Sequence, residues 1–134
     1  KAYSIYTVPF SVFARICLSA TFEGLAKRFA LLYEQKYGHK SNLYGDRLKS
    51  LNQVLTLLNQ ERKEIADFVH KTANFESPLE GTVSNSLGKR HFEIFEMICQ
   101  LYWFSGIQLS EENNLLHFVF RDILTASQHY MLKD

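Results

Sequence analysis

At 134 residues and 15.6 kDa the chain has room for one domain and not for two. Hydrophobic types at 46% against 22% charged exclude an extended disordered tail, and six Gly with two Pro are too few for collagen, a Gly-rich linker or a many-turned β-sandwich. Fifteen Lys and Arg against fourteen Asp and Glu leave a net charge of +1, which speaks against a bulk electrostatic nucleic-acid binder.

The first predicted element is a helix from about Pro9 to Tyr37, with Pro9 in its first turn and Gly38 just past its end. Ala14, Leu18, Phe22, Leu25, Phe29 and Leu32 recur at steps of four and three, and Phe10, Phe13 and Cys17 widen that stripe. A polar connector from His39 to Gly45 follows. Asp46 reads as the N-cap of a second helix whose apolar face is Leu48, Leu51, Leu55, Leu58, Ile65 and Val69. Glu61, Arg62, Lys63 and Glu64 read as a patch turned mostly to solvent, and the helix is expected to fail near Thr72 to Asn74.

Residues from about Ala73 to Gly88, punctuated by Pro78, Gly81 and Gly88, read as one long irregular loop. Inside it Ser77-Pro78-Leu79-Glu80 has the spacing of a capping box with Pro at the first helical position, the start of a short turn. A third helix is expected from Lys89 to Phe104. Phe92, Ile94, Phe95, Met97, Ile98, Leu101, Tyr102, Trp103 and Phe104 surround nearly all of it, the mark of a helix buried on several sides or meeting another chain. Ser110 reads as the cap of a fourth helix with the core stripe Leu116, Val119, Ile123, Ala126 and Tyr130, thickened by Phe118 and Phe120. No strand of comparable strength occurs, and four helices packed as an antiparallel bundle are the simplest architecture.

The small net charge hides an uneven distribution. Residues 1–40 carry +4, residues 41–75 carry +1 and residues 76–134 carry −4. Complementary faces within the bundle, or a dipolar surface meeting a second protomer, both follow from this. Cys17 and Cys99 lie far apart in apolar runs and read as buried thiols of a reducing compartment, so the expected location is the cytoplasm. No apolar run approaches the roughly 18 residues of a membrane span, and no signal-peptide pattern opens the chain. Because it opens at Lys1 instead of Met, a fragment of a longer protein is one reading of it.

Few residues invite chemistry. His-x-x-x-His, His-Glu-x-x-His and Glu-x-x-His spacings are absent, so neither a metal nor any other cofactor is expected. Gly-rich phosphate loops and Gly-x-Ser-x-Gly elbows are absent too. Arg90 and His91, at the expected start of the third helix, form a basic pair suited to an anion, and Arg121, one turn after His117, is a further candidate phosphate contact. His70 closes the second helix, with Asp67 on nearly the same face to orient its imidazole and Arg62 eight residues earlier, about 80° round an ideal helix.

The early helix Arg15-Ile16-Cys17-Leu18-Ser19-Ala20-Thr21-Phe22-Glu23-Gly24-Leu25, with the run from Glu61 to Lys71 ending on His70, resembles the HEPN superfamily of small all-α domains in bacterial defence, toxin–antitoxin and RNA-processing proteins. The resemblance covers about two of the four helices. It implies a dimer and, where the motif is intact, metal-independent RNA cleavage by an Arg and a His five residues after it. Counted back from His70, those positions hold Ile65 for the arginine and Ala66 for the usual asparagine, so a catalytically degenerate member is implied. Three functions are therefore expected in turn. The first is a helical interaction or regulatory module, dimeric through its third helix and meeting RNA or protein. The second is an active ribonuclease with His70, Arg62 and Asp67 as catalytic residues. The third is an unrelated four-helix partner-binding domain of the immunity or effector kind.

Overall fold

A computed structural model describes residues 10–37, 42–71, 77–104 and 115–129, with side chains at 12–37, 45–68, 87–103 and 115–129. All regular structure in it is helical: α1 Phe10–Tyr37, α2 Asn42–Lys71, α3 Ser77–Phe104 and α4 Leu115–Ser127. A 3₁₀-like close follows α4, where the Gln128 and His129 amides donate to the Thr125 and Ala126 carbonyls. Among the described residues no helix is long and apolar enough to cross a membrane.

The structure corrects two boundaries. The second helix starts at Asn42, so Asp46 is an exposed residue within it and not its cap. The third helix starts at Ser77, so there is no long loop from Ala73 to Gly88, and the capping-box sequence marks the start of a 28-residue helix. Gly81 and Gly88 each disfavour helix by about 1 kcal/mol. Burial of Leu87, His91, Ile94 and Ile98 along the same helix offsets that cost. The Ser110 cap and Tyr130 lie outside the described residues.

α1 is the central helix, packing against α2, α3 and α4. Its buried face is Val12, Ser19, Phe22, Glu23, Ala26, Phe29, Ala30, Tyr33 and Tyr37. That face shares Phe22 and Phe29 with the stripe expected from the leucines but is rotated from it by roughly a quarter turn. Leu18, Leu25 and Leu32 are only partly buried at its flank. The small Ala26 and Ala30 let neighbouring helices approach closely, and the large Tyr33 and Tyr37 fill the space beyond them.

The remaining core follows the expected pattern more closely. α2 buries Leu48, Leu51, Val54, Leu55 and Leu58, α3 buries Leu87, Ile94, Ile98 and Leu101, and α4 buries Leu116, Val119 and Ile123. Phe120 reaches in from α4, stacked on Tyr102 with ring centroids 3.9 Å apart and tilted against Phe29. Phe118 does not thicken the core; it is exposed. Neither thiol is buried as expected: Cys17 is exposed and Cys99 half-buried, and burial, with Glu96 adding to it, pushes the Cys99 thiol up.

Within this aromatic part of the bundle the Tyr33 hydroxyl donates to the Leu101 carbonyl at 2.8 Å, tying α1 to the last turn of α3. Tyr33→Phe keeps the ring and removes this hydrogen bond. It is expected to lower stability by about 0.5–1.5 kcal/mol in urea denaturation, with the helical circular dichroism unchanged.

Candidate functional site

Polar groups gather about 15 Å along α1 from Tyr33, by the rise per residue of a helix. Ser19 and Glu23 are four residues apart on α1, hence on one face, and both are buried. The α1–α2 seam is ionic: Arg62 donates to Glu23 Oε1, and Lys27 donates to Oε2 of the same carboxylate at 2.6 Å. The side chains of Arg62 and Glu23 are 15% and 6% exposed, so this pair lies largely inside the protein. Burial alone would push the Glu23 carboxyl up, but the hydrogen bonds from Lys27 and Arg62 outweigh it and hold it below the ordinary value.

The α2–α3 seam is also ionic. Arg90 donates from Nε to Glu61 Oε1 at 2.8 Å and from a terminal nitrogen to Glu93 Oε2 at 3.1 Å. The Glu61 hydrogen bond raises the Arg90 guanidinium further above its usual value, against a smaller opposing effect of burial. Across the α1–α3 seam, His91 Nε2 and Ser19 Oγ are 2.8 Å apart, and Phe22 presents its ring edge-on to the imidazole at 5.1 Å. Both His91 and Ser19 are buried. Each contact joins a different pair of helices, and together they tie α1, α2 and α3 at one level.

The sequence-derived candidates divide accordingly. Arg62, Arg90 and His91 lie on these adjoining seams. Since α3 begins at Ser77, Arg90 and His91 stand 13 and 14 residues into a helix and not at its N-terminus, so the free amide groups expected to help hold an anion are absent there. Arg62 turns to Glu23 on α1. Asp67 is exposed, one turn short of the end of α2. His70 is the penultimate residue of α2, as expected, and its side chain lies outside the described residues. Arg121 is exposed on α4, and its carbonyl accepts a hydrogen bond from the Thr125 hydroxyl. Next to it His117 meets the Tyr102 hydroxyl through Nδ1 at 3.2 Å.

Sequence reasoning missed Ser19, Glu23 and Glu61. Ser19 and Glu23 interrupt an apolar helix at the same four-residue step as Ala26 and Ala30, which was the available signal. The patch from Glu61 to Glu64 reads from sequence as turned mostly to solvent, and of its four residues only Lys63 and Glu64 are exposed. Chemically, the arrangement neutralises cations. Arg62 and Arg90 each hold a carboxylate, the group that occupies the same two-pronged donors as a phosphate. Among the described residues no group of His, Cys, Asp or Glu is placed to hold a metal ion.

The outer side of α3 leaves two large aromatics in water among the exposed Lys89, Glu96 and Gln100. Phe92 is 63% and Trp103 82% exposed. With Glu96 and Cys99 between them, they follow a 4-3-4 spacing that keeps all four on one face, Phe92 and Trp103 about 16 Å apart. No protein-family model, curated protein or solved structure matches the chain.

Proposed function

We propose that the chain is a helical interaction and regulatory module, an antiparallel four-helix bundle of HEPN-like architecture that self-associates through the outer face of α3. In this reading it acts in the cytoplasm, within a bacterial defence or regulatory system, and brings an RNA or protein partner to the dimer. The exposure of Phe92 and Trp103 on one helix face carries the proposal. Two large aromatics left in water on one stripe are the pattern of an interface core, since each buries about 150–250 Å² when covered. An antiparallel order is supported by Glu23 pairing with Arg62 while Glu34, later in α1, lies beside Gly45 and Leu48, earlier in α2. Glu61 with Arg90 and Arg47 with Gln100 follow the same reversal between α2 and α3.

A binding module is favoured over a catalyst by the state of the cations. Metal-independent RNA cleavage needs a base for the 2′-hydroxyl and a cation for the phosphate. Arg62 and Arg90 are both committed to carboxylates, and His91 is buried on Ser19. One observation favours the ribonuclease as a second reading: the same three residues lie on adjoining seams of one helix cluster.

The test is molar mass by light scattering over a wide concentration range. The face is small beside the roughly 800 Å² per partner of a standard interface, so a concentration-dependent rise from 15.6 kDa towards twice that mass is expected. Phe92→Ser with Trp103→Ser is expected to hold the mass at one chain without loss of helicity. A single-chain mass for the unaltered protein at every concentration removes the proposal. Labelled RNA incubated with chelator decides the second reading: cleavage that disappears in His70→Ala establishes it, and intact RNA removes it.

A further inference from the structure

Most cationic groups in the helix seams are committed: Lys27, Arg62 and Arg90 to carboxylates, and Arg47 to Gln100. A cleft between the end of α1 and the start of α2 is lined differently. Glu34 stands on the α1 side, and Gly45, Lys49, Asn52, Gln53 and Thr56 line the α2 side beside the buried Leu48, around an open cleft of about 380 Å³. That volume falls in the range of small-molecule sites. Glu34 and Lys49 share the cleft without forming an ion pair. Nor do the side chains of Glu34, Lys49, Asn52 and Gln53 hydrogen-bond within the described residues, whereas Thr56 spends its hydroxyl on the Asn52 carbonyl. Gly45 leaves the cleft open, for a Cβ there would meet no atom within 4 Å.

We propose that this cleft binds a small zwitterion of dipeptide size, with its ammonium on Glu34, its carboxylate on Lys49 and its peptide group on the amides of Asn52 and Gln53. The charges select the class. A simple anion of this length would meet Glu34, a simple cation would meet Lys49, and an apolar molecule would dehydrate both without replacing their hydrogen bonds. Asn and Gln each present a donor and an acceptor, the complement of a peptide N–H and C=O. Because Glu34 and Lys49 are both exposed, the charges are screened, and a dissociation constant on the order of 1 mM is expected. This site is independent of the α3 face and of self-association.

The experiment is a titration of ¹⁵N-labelled protein with glycyl-leucine, N-acetyl-glycyl-leucine and glycyl-leucinamide, followed by amide chemical shifts. The free dipeptide is expected to shift Gly45, Leu48, Lys49 and Asn52 saturably, and blocking either terminus should weaken binding about tenfold. Glu34→Gln should remove the preference for a free ammonium, and Lys49→Met the preference for a free carboxylate. Gly45→Leu, whose side chain enters the cleft, should abolish the shifts while the rest of the spectrum stays folded. Amides that do not move, or that move equally with the blocked peptides, overturn the proposal. The two surface variants at Glu34 and Lys49 keep it decidable if Gly45→Leu disturbs the helix.

Discussion

Arg62→Ala is expected to cost about 3–5 kcal/mol of folding stability, measured by urea denaturation at neutral pH, because it leaves the buried Glu23 carboxylate without its interhelix partner. Lys27, half-exposed and already bound to the other oxygen, does not replace it; Lys27→Ala should cost no more than about 1 kcal/mol. Replacing both Glu23 and Arg62 with Met removes the two charges together and is expected to recover most of the single-variant loss. A loss under about 1 kcal/mol for Arg62→Ala would mean the pair is solvated and contributes little.

The same pair sets an acid limb. The folded-state value of Glu23 is lowered below its ordinary 4.5, so in acid the unfolded chain binds this proton more readily than the folded one. Its stabilisation is complete above that ordinary value and disappears as pH falls through the lower folded value. In Arg62→Ala the lowering is reduced, so the fall in stability on acidification should become shallower. Equal acid limbs for the two proteins would place the titrating group elsewhere.

The second large effect belongs to the α1–α3 seam. His91→Ala removes the partner of the buried Ser19 hydroxyl, a loss of about 1–3 kcal/mol, to which the lost packing against Phe22 adds. Ser19→Ala together with His91→Leu takes away both polar groups and keeps most of the volume, so it should be far milder than His91→Ala alone. Urea midpoints of the three variants check this. A double variant as unstable as the single would show that the volume of the imidazole matters and its hydrogen bond does not.

These energetics bear on what could be read beforehand. The helices were legible because leucine and isoleucine spacing on α2 and α4 states their buried faces outright: Leu48, Leu51, Leu55 and Leu58, then Leu116, Val119 and Ile123. The orientation of α1 was not. Leucines mark a face when a helix has one wet side, but α1 packs against three other helices, and its most buried face holds alanines, tyrosines, a serine and a glutamate beside Val12, Phe22 and Phe29. Hydrophobicity undervalues those residues, since Tyr33 and Glu23 become suitable for the interior through polar partners, among them Leu101 and Arg62 far along the chain. The first half of α3 was hidden for a related reason: its glycines and serines have weak local preference for helix, and packing around Leu87 and His91 overrides it. The cluster at Glu23 was half visible. Arg62, Arg90 and His91 were singled out from sequence, whereas the acids and the serine that hold them were not.

The central position of α1 has a consequence for synthesis. It leaves the ribosome before every helix that covers it, and its bonds to α3 join residues 68 and 72 positions apart. Until α3 has emerged, Tyr33 and Ser19 lack the groups they meet in the finished protein, and Glu23 waits for Arg62 on α2. The nascent chain therefore carries this helix unfinished until α3 emerges, and native folding follows that emergence.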